Sequence, residues 1–163
     1  MQSNPKRAIF PGSFDPFTVG HENIVLRALD LFDEIIVAVG FNSDKHCLFS
    51  CEQRVEFINT VFANQPRVSV ATYNGLTVDF ARQMNCSHIL RGLRTSADFE
   101  FERAIAQCNR QMTGIDTLFL LTTPEHTCVN STIVRDILCH GGDASRFLPE
   151  SIRNHQYIRN MVR

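Results

Sequence analysis

The sequence predicts a doubly wound α/β fold, in which a five-stranded parallel sheet carries helices on both faces. Short apolar runs typical of strands alternate along the chain with segments whose apolar residues recur at helical spacing. One of these runs, Glu34–Gly40, is apolar almost throughout, as expected of a parallel strand that is buried on both faces. Regular alternation of strands and helices is the pattern of an α/β domain.

Length, charge and cysteine content limit the classes of protein to which the chain can belong. Its 163 residues suffice for one domain, residues 1–163, with a substantial core. The net charge of −1 gives no general attraction to nucleic acid, and no apolar run approaches the length of a membrane span. Because the start of the chain lacks the apolar core of a signal peptide, we expect a cytoplasmic protein whose six cysteines are reduced.

The first part of the chain contains three predicted strands, at residues 8–10, 34–40 and 68–72. A helix with apolar positions between residues 24 and 32 follows the first strand. The second helix begins after Ser50, because Gln53 stands three residues later and completes a capping box, and we expect it to end at Pro66.

The second part begins with a short helix at residues 76–84 and a strand at 88–90. A capping pattern from Thr95 to Asp98 then opens a longer helix, which Gly114 stops. A fifth strand at 117–121, a helix at 131–139 and a C-terminal helix from about Pro149 complete the predicted elements. The packing face predicted for the longer helix consists of Phe101, Ala104, Ile105, Cys108 and Met112.

The loop at residues 10–21, Phe-Pro-Gly-Ser-Phe-Asp-Pro-Phe-Thr-Val-Gly-His, joins the first strand to the first helix. Its glycines and prolines favour a tight, preset turn. Ligands of open α/β sheets bind beyond the carboxyl ends of the strands, and free N–H groups at a helix start favour an anion. Ser13, Thr18 and His21 add side-chain donors. The loop therefore favours a phosphate site, although a capped helix with a surface histidine would show the same Thr-x-Gly-His pattern.

Three further polar groups follow predicted strands. Arg91 and Arg94 flank Gly92 and Leu93, and their guanidinium groups suit bidentate phosphate recognition or ion pairs with Asp98, Glu100 or Glu102. Residues 130–132, Asn-Ser-Thr, with Arg135 one turn later, form either an anion cradle or an ordinary helix cap. Lys45 stands in a polar loop, where an isolated lysine is usually solvated.

Several common site types are absent from the sequence. Neither G-x-x-x-x-G-K-[ST] nor a G-x-G-x-x-G after the first strand occurs, and no nucleophile stands beside a base in a recognisable order. A metal site from His46, Cys47 and Cys51 lacks a second ligand pair at a usual zinc spacing, so we predict no protein-held metal. A constellation rich in cations and donors suits electrostatic stabilisation of a phosphoryl transition state.

Together these groups resemble the nucleotidyltransferases that carry an (H/T)-x-G-H signature, which have a Rossmann-like sheet. The closer resemblance is to the bacterial phosphopantetheine adenylyltransferases. It rests on the loop at residues 10–21, on Lys45, and above all on residues 91–102, Arg-Gly-Leu-Arg-Thr-Ser-Ala-Asp-Phe-Glu-Phe-Glu. The resemblance extends from Lys6 to the Phe-Leu-Pro-Glu segment at residues 147–150, nearly the whole chain.

The resemblance implies transfer of AMP from ATP to 4′-phosphopantetheine with Mg²⁺, giving dephospho-coenzyme A and pyrophosphate, by a homohexamer. It implies that His21, Lys45 and Arg94 are catalytic, His21 as a stabiliser of the transition state. The acceptor would be bound by Ser13, Lys45, Thr77 and Arg91. ATP would be bound by Ser13, the backbone of Phe14, His21, Gly92, Leu93, Arg94, Glu102, His126, Thr127, Cys128, Val129, Asn130, Ser131 and Thr132.

The chain departs from the family's usual residues at a few positions. Ser13 stands where Thr is frequent, Phe10 where Tyr is frequent, and Thr77 where a larger apolar residue is common. Asn130 begins a run that is often all serine, and the resulting S-T-x-x-R form resembles nicotinamide-mononucleotide adenylyltransferases. The alternatives to phosphopantetheine are therefore another phosphate acceptor, such as nicotinamide mononucleotide or glycerol phosphate, and a catalytically silent nucleotide-binding module.

Overall fold

The predicted doubly wound fold is confirmed in the computed structural model, which describes residues 5–41 and 46–162. Five parallel strands form one sheet in the order β3-β2-β1-β4-β5. The strands are β1 (Arg7–Gly12), β2 (Glu34–Gly40), β3 (Val68–Tyr73), β4 (His88–Leu93) and β5 (Asp116–Leu121). The first strand is therefore central, and the chain winds outward from it twice.

In the described part of the chain, six α-helices connect and follow the strands, and most begin where the sequence places a cap. They are α1 (Val19–Ala28), α2 (Cys51–Val61), α3 (Thr77–Gln83), α4 (Ser96–Thr113), α5 (Ser131–Cys139) and α6 (Gln156–Arg159). The capping box of Ser50 and Gln53 is confirmed, whereas α2 ends at Val61, well before Pro66. Gly114 ends α4 in the left-handed conformation, as predicted for a glycine stop. Thr95 caps α4, but the Asp98 carboxylate accepts a hydrogen bond from the N–H of Arg94 and not from that of Thr95. The predicted capping box therefore does not form.

Both faces of the sheet are buried, because alternate residues of the strands enter different clusters. Ile35, Val37 and Val39 pack with α1 and α2 on one face. Ile36 and Ala38 pack with α3 on the opposite face. This explains why residues 34–40 are apolar without alternation.

The single C-terminal helix predicted from Pro149 is wrong. One 3₁₀ turn, Glu150–Ile152, and the short α6 occupy this segment, and another 3₁₀ turn, Ser145–Phe147, precedes it. Both Pro149 and His155 have extended backbone angles, so helical hydrogen bonding is interrupted twice. The segment is nevertheless anchored, since its apolar residues form a third cluster with α2 and α5.

The prediction that the apolar face of α4 packs against the rest of the chain is also wrong, because this face is exposed. None of the α4 residues is buried, and Phe101 and Met112 are 69% and 60% exposed. The helix lies against β4 and β5 at the edge of the sheet. Within the described part of the chain, no element covers its outer face, so the amphipathic pattern identifies a face without a partner.

The strands β1 and β4 separate towards their carboxyl ends. They pair only at Ala8 with His88 and at Ile9 with Ile89, whereas β1 and β2 pair over six positions. A crevice therefore opens at the point where the strand order reverses, the usual ligand site of such a sheet. The strand predicted at residues 88–90 continues to Leu93, so Arg91 and Gly92 lie within β4 and not after it.

Among residues 5–41 and 46–162, no helix combines the length and the apolar character that a membrane span requires.

Candidate active site

Two adjoining cavities occupy the crevice between β1 and β4. The larger one, about 630 Å³, lies between the loop after β1, the starts of α1 and α5, and α4. The smaller one, about 320 Å³, extends towards the ends of β2 and β3. Their shared wall consists of Pro11, Gly12, Ser13, Arg91 and Glu102. Such a pair of joined cavities can hold two substrates with their reacting ends together.

The loop after β1 is held from several directions through its backbone carbonyls. Arg91 donates from Nη1 to Pro11 O at 2.6 Å, and Arg54 donates from Nη1 to Ser13 O at 2.6 Å. Phe14 has a φ of 50°, and a Cβ at Gly12 would lie 2.8 Å from its ring. Gly12 is therefore required by the inward position of the Phe14 ring.

Side chains of α5 hold the same loop from the other side of the larger cavity. Ser131 donates from Oγ to Pro16 O at 2.9 Å, and Arg135 donates from Nη1 to Asp15 O at 2.7 Å. Asn130 accepts from the N–H of Ile133, as a helix cap does. The sequence left open whether residues 130–132 cap the helix or form an anion site. Asn130 caps α5, and residues 130–132 also line the larger cavity, so the two interpretations are compatible.

His21 is the third residue of α1 and reaches back to the helix cap. The N–H of Thr18 donates to His21 Nδ1 at 3.0 Å, so Nδ1 is an acceptor and the proton of a neutral ring lies on Nε2. The rings of Phe14 and Phe17 have centroids 5.1 and 5.2 Å from that of His21. Desolvation, followed by the charges of Arg91 and Arg94, lowers the pKa of His21 from 6.5 to about 3. His21 is therefore a neutral donor at physiological pH.

The two arginines of the Arg91–Arg94 motif are both ion-paired with α4. Arg91 forms a bidentate pair with Glu102, in which Nε donates to Oε2 at 2.9 Å. Arg94 donates from Nε to Asp98 at 3.2 Å. Desolvation acts to raise the pKa of Asp98, but the hydrogen bonds from Arg94 and the charge of its guanidinium together hold this pKa below its usual range. The ion pairs that the sequence allowed are thus present, and both arginines also line the larger cavity.

The smaller cavity has a more apolar lining. Thr77, at the start of α3, accepts or donates a hydrogen bond with the hydroxyl of Tyr73 at 2.9 Å. Ile89, Ile105 and Ala106 provide apolar walls, and Asn109 adds an amide. An uncharged, extended substrate arm fits such a lining better than a polyphosphate does.

The structure brings most of the predicted site residues together. The larger cavity is lined by Ser13, Phe14, His21, Arg91, Gly92, Arg94, Glu102, Val129, Asn130, Ser131 and Thr132. The smaller one is lined by Ser13, Thr77 and Arg91. Four residues predicted to bind ATP line neither cavity, namely Leu93, His126, Thr127 and Cys128. Lys45 lies outside the described residues.

Several residues near the cavities were missed by sequence reasoning. Asp15 is 2% exposed, and its carboxylate accepts from the N–H groups of Leu48 and Phe49 at 2.8 and 2.9 Å. Arg54 is 3% exposed although it is charged. Asp15 lies within the loop motif and could have been singled out there, whereas nothing local distinguishes Arg54 from an ordinary helix arginine.

The carboxylates that line the larger cavity are all engaged. Asp15 accepts two backbone N–H groups, Asp98 faces Arg94 and Glu102 faces Arg91. Across the described ranges, no three His, Cys, Asp or Glu side chains form a group suited to a metal ion, including His46, Cys47 and Cys51. The site therefore provides cations and N–H donors for an anionic ligand, and these groups bind phosphate more readily than metal.

Comparisons with known proteins identify the family. The profile of the cytidylyltransferase-like family matches residues 9–137. The phosphopantetheine adenylyltransferase of Flavobacterium johnsoniae is 51% identical over 148 residues, which are 91% of this chain and 97% of that protein. The phosphopantetheine adenylyltransferase of Bacteroides fragilis is 48% identical over 147 residues, 90% of this chain and 98% of that protein.

Solved structures with low sequence identity share the fold. A protein from Vibrio parahaemolyticus, described as a candidate nicotinate-nucleotide adenylyltransferase, superposes with a TM-score of 0.70 at 17% identity and covers 96% of each chain. A bifunctional NMN adenylyltransferase/ADP ribose pyrophosphatase from Francisella tularensis gives 0.67 at 16% identity, covering 98% of this chain and 53% of that one. On the strength of its curated relatives and the matching profile, the chain belongs to the cytidylyltransferase-like family and, within it, to the phosphopantetheine adenylyltransferases.

Proposed function

We propose that the chain transfers the adenylyl group of ATP to the phosphate of 4′-phosphopantetheine, forming dephospho-coenzyme A and pyrophosphate. The observation that carries this proposal is the pair of cavities that meet at Ser13 and Arg91. The larger cavity is lined by cations and donors suited to a triphosphate, and the smaller one suits an uncharged arm. Relatives about 50% identical over most of their length bear the name of this activity.

The binding roles follow the division between the cavities. Arg94 and the start of α5 at residues 130–132 would neutralise and orient the phosphates of ATP, and the Nε2–H of His21 would donate to a phosphoryl oxygen. Arg91 and Ser13, in the shared wall, would hold the acceptor phosphate beside the α-phosphorus. Thr77 would contact the pantetheine arm, and Lys45 would add a second cation for its phosphate.

The chemistry would be one direct displacement. An oxygen of the acceptor phosphate attacks the α-phosphorus of ATP, the bond from that phosphorus to the bridging oxygen breaks, and pyrophosphate carries the electron pair away. Among residues 5–41 and 46–162, no side chain is positioned with a base as a covalent nucleophile would need. ATP that is chiral at the α-phosphorus tests this step: one displacement inverts the centre, whereas a covalent adenylyl-enzyme would retain it.

Mg²⁺ would enter with ATP. The engaged carboxylates of Asp15, Asp98 and Glu102 leave the phosphate oxygens as the suitable ligands. When bound, the ion neutralises charge on the pyrophosphate leaving group.

The functional protein would be a cytoplasmic homohexamer. The exposed apolar face of α4, with Phe101, Ile105 and Met112, supports association between copies of the chain, because large apolar side chains seldom stay in contact with water at such a density. Sedimentation of the purified protein tests the oligomeric state. A monomer at all concentrations would contradict it.

An acceptor screen tests the proposed activity. Pyrophosphate release from ATP is followed with 4′-phosphopantetheine, nicotinamide mononucleotide, glycerol phosphate and unphosphorylated pantetheine. We expect release with 4′-phosphopantetheine alone, and Lys45→Ala should raise its KM more than that of ATP. Preference for either other phosphate acceptor would reassign the substrate, and absence of release with all of them would favour a silent nucleotide-binding module.

A further inference from the structure

A buried arginine lies behind the loop that follows β1. Arg54, on α2, is 3% exposed and lines neither cavity. Its guanidinium donates from Nη1 to Ser13 O at 2.6 Å and from Nε to Ser50 O at 3.3 Å. Among the described residues, no carboxylate lies within ion-pairing distance of Arg54. A buried cation bonded only to carbonyl oxygens is costly, so its position calls for an explanation.

The contact with Ser13 fixes the orientation of a whole peptide group. In a planar trans peptide, the C=O of one residue and the N–H of the next point in opposite directions. Because the Ser13 carbonyl faces Arg54, the Phe14 N–H faces away from α2. Ser13 and Phe14 line the larger cavity on the side where Arg54 is absent. The hydrogen bond from Arg54 to the Ser13 carbonyl therefore orients the Phe14 N–H towards the cavity.

This N–H is available to a ligand. Within residues 5–41 and 46–162, the Phe14 N–H has no hydrogen-bond partner. The φ of 50° at Phe14 is left-handed, and such a turn is uncommon for a bulky residue and costs free energy. Successive N–H groups in turns of this kind form concave anion sites. An enforced turn with an unpaired N–H is what an anion site built from backbone requires.

We propose that Arg54 is a positioning residue, which holds the Ser13–Phe14 peptide so that the Phe14 N–H donates to a phosphate oxygen of the nucleotide. The inference rests on the proposed function for the identity of the ligand. Arg54 does not touch the substrate in this account. Its charge strengthens the bond to the Ser13 carbonyl and polarises the peptide group whose N–H meets the phosphate.

The amide of Phe14 can be observed alone by NMR. The dipeptide Ser-Phe occurs once in the sequence, so protein labelled with ¹³C at serine carbonyls and with ¹⁵N at phenylalanine gives a single correlated amide. The probe is ATP without acceptor, and adenosine is the control that lacks phosphate. We expect ATP to shift the Phe14 amide proton downfield and adenosine to leave it nearly unchanged.

Two substitutions of Arg54 then test whether the hydrogen-bond donors of this side chain, and not only its length, orient the Ser13–Phe14 peptide. Arg54→Met keeps the length but removes the donors, and we expect it to abolish the ATP-induced shift. It should lower kcat/KM for ATP by about 100-fold, as the loss of one preorganised N–H donor does, while the KM of the acceptor changes less than about threefold. Arg54→Lys keeps a charged donor and should restore both the shift and at least about a tenth of kcat/KM.

Arg67→Met is the matched control. Arg67 also donates from Nη1 to a backbone carbonyl, that of Leu29 at 2.9 Å, but it lines neither cavity. Its loss should leave the Phe14 shift and the kinetics unchanged.

Failure of the positioning role and failure of the proposed function would give different results. If calorimetry shows that ATP binds the parent while the Phe14 amide does not respond, the positioning role is excluded, and this test needs no variant to fold. An equal shift in folded Arg54→Met would exclude it as well. If ATP does not bind the parent at all, the proposed function itself fails.

Discussion

The helices α4 and α5 form opposite walls of the larger cavity, and they are held in place by different forces. Val134 and Leu138 of α5 are almost fully buried in the third apolar cluster. The α4 helix buries none of its residues. The pair Arg91–Glu102 ties it to β4, and the pair Arg94–Asp98 ties it to the residue that follows β4. The α5 wall is thus anchored by buried apolar packing, whereas the α4 wall is held by two ion pairs and by the edge contact of the Phe99 ring with Phe119 on β5.

This difference bears on how the site would respond to a ligand. The wall of α5 presents residues 130–132 on a helix that is anchored by apolar packing, and such anchoring favours preorganised donors. On the side of α4, a phosphate that binds Arg91 or Arg94 competes with Glu102 or Asp98 for the same guanidinium groups. Regions with few buried contacts open at low free-energy cost, so we expect α4 to be the wall that adjusts.

Truncating one apolar residue on each helix gives the largest expected difference. Leu138→Ala on α5 should lower the free energy of unfolding by about 2–5 kcal/mol, because it leaves a cavity in a buried cluster. In the dissociated chain, Met112→Ala on α4 should change it by less than about 0.5 kcal/mol, since Met112 is 60% exposed there. Urea denaturation at low protein concentration measures both. If copies associate through α4 as proposed, the loss for Met112→Ala should grow with protein concentration, whereas the loss for Leu138→Ala should be large at every concentration.

A substitution at His21, at the start of α1, tests a further preorganised donor of the larger cavity. His21→Ala should reduce kcat by about 10²–10³-fold, equivalent to about 2.7–4 kcal/mol, if it removes one donor to the transition state. ATP binding, measured by calorimetry, should change much less. His140→Ala, an exposed histidine just after α5, is the control. Equal turnover in His21→Ala and the parent would exclude this role.

His21, at the start of α1, and Asp98, on α4, should make different contributions to the pH dependence of stability. The unfolded chain binds a proton at His21 near pH 6.5 and the folded protein only near pH 3. Stability should therefore fall as the pH drops from 6.5 towards 3, by about 1.4 kcal/mol per pH unit from this group. The depressed pKa of Asp98 means that its contribution is present above pH 3.8 and is lost only at lower pH.

Comparison with His21→Gln isolates the histidine contribution. The difference in unfolding free energy between the parent and this variant should depend on pH between 3 and 6.5 and should be constant above 7. The turnover of the parent should show no inflection near pH 6.5 from His21. A difference that is constant over the whole range would mean that the imidazole protonates normally in the folded protein.

The smallest expected effects come from the ion pairs themselves. Glu102→Gln should cost about 1 kcal/mol, because the Glu102 side chain is only 14% exposed and its pair with Arg91 is bidentate. Asp98→Asn, in a pair exposed by about a third, should cost less than about 0.5 kcal/mol. Urea denaturation again provides the measurement. A cost of Glu102→Gln equal to that of Leu138→Ala would remove the distinction between the walls.

Local sequence patterns were enough to predict the order of the elements and much of the candidate site. Periodicity and caps decide local structure, so the strand at 34–40, the start of α2 after Ser50 and the helix at 131–139 were predicted at their observed bounds. The site groups were found because parallel strands bring their carboxyl ends to one edge, so residues distant in the chain must meet there.

The contacts of individual side chains, in contrast, could not be predicted from local sequence. The periodic face of α4 was read correctly as apolar, but exposure depends on what lies opposite, which local periodicity does not record. The buried position of Arg54 and its bond to the Ser13 carbonyl join residues 41 positions apart. The pKa of His21 is lowered because the fold buries its imidazole among aromatic rings and brings the charges of Arg91 and Arg94 near it. Contacts of this kind depend on long-range packing, whereas local sequence specifies only the elements that make them possible.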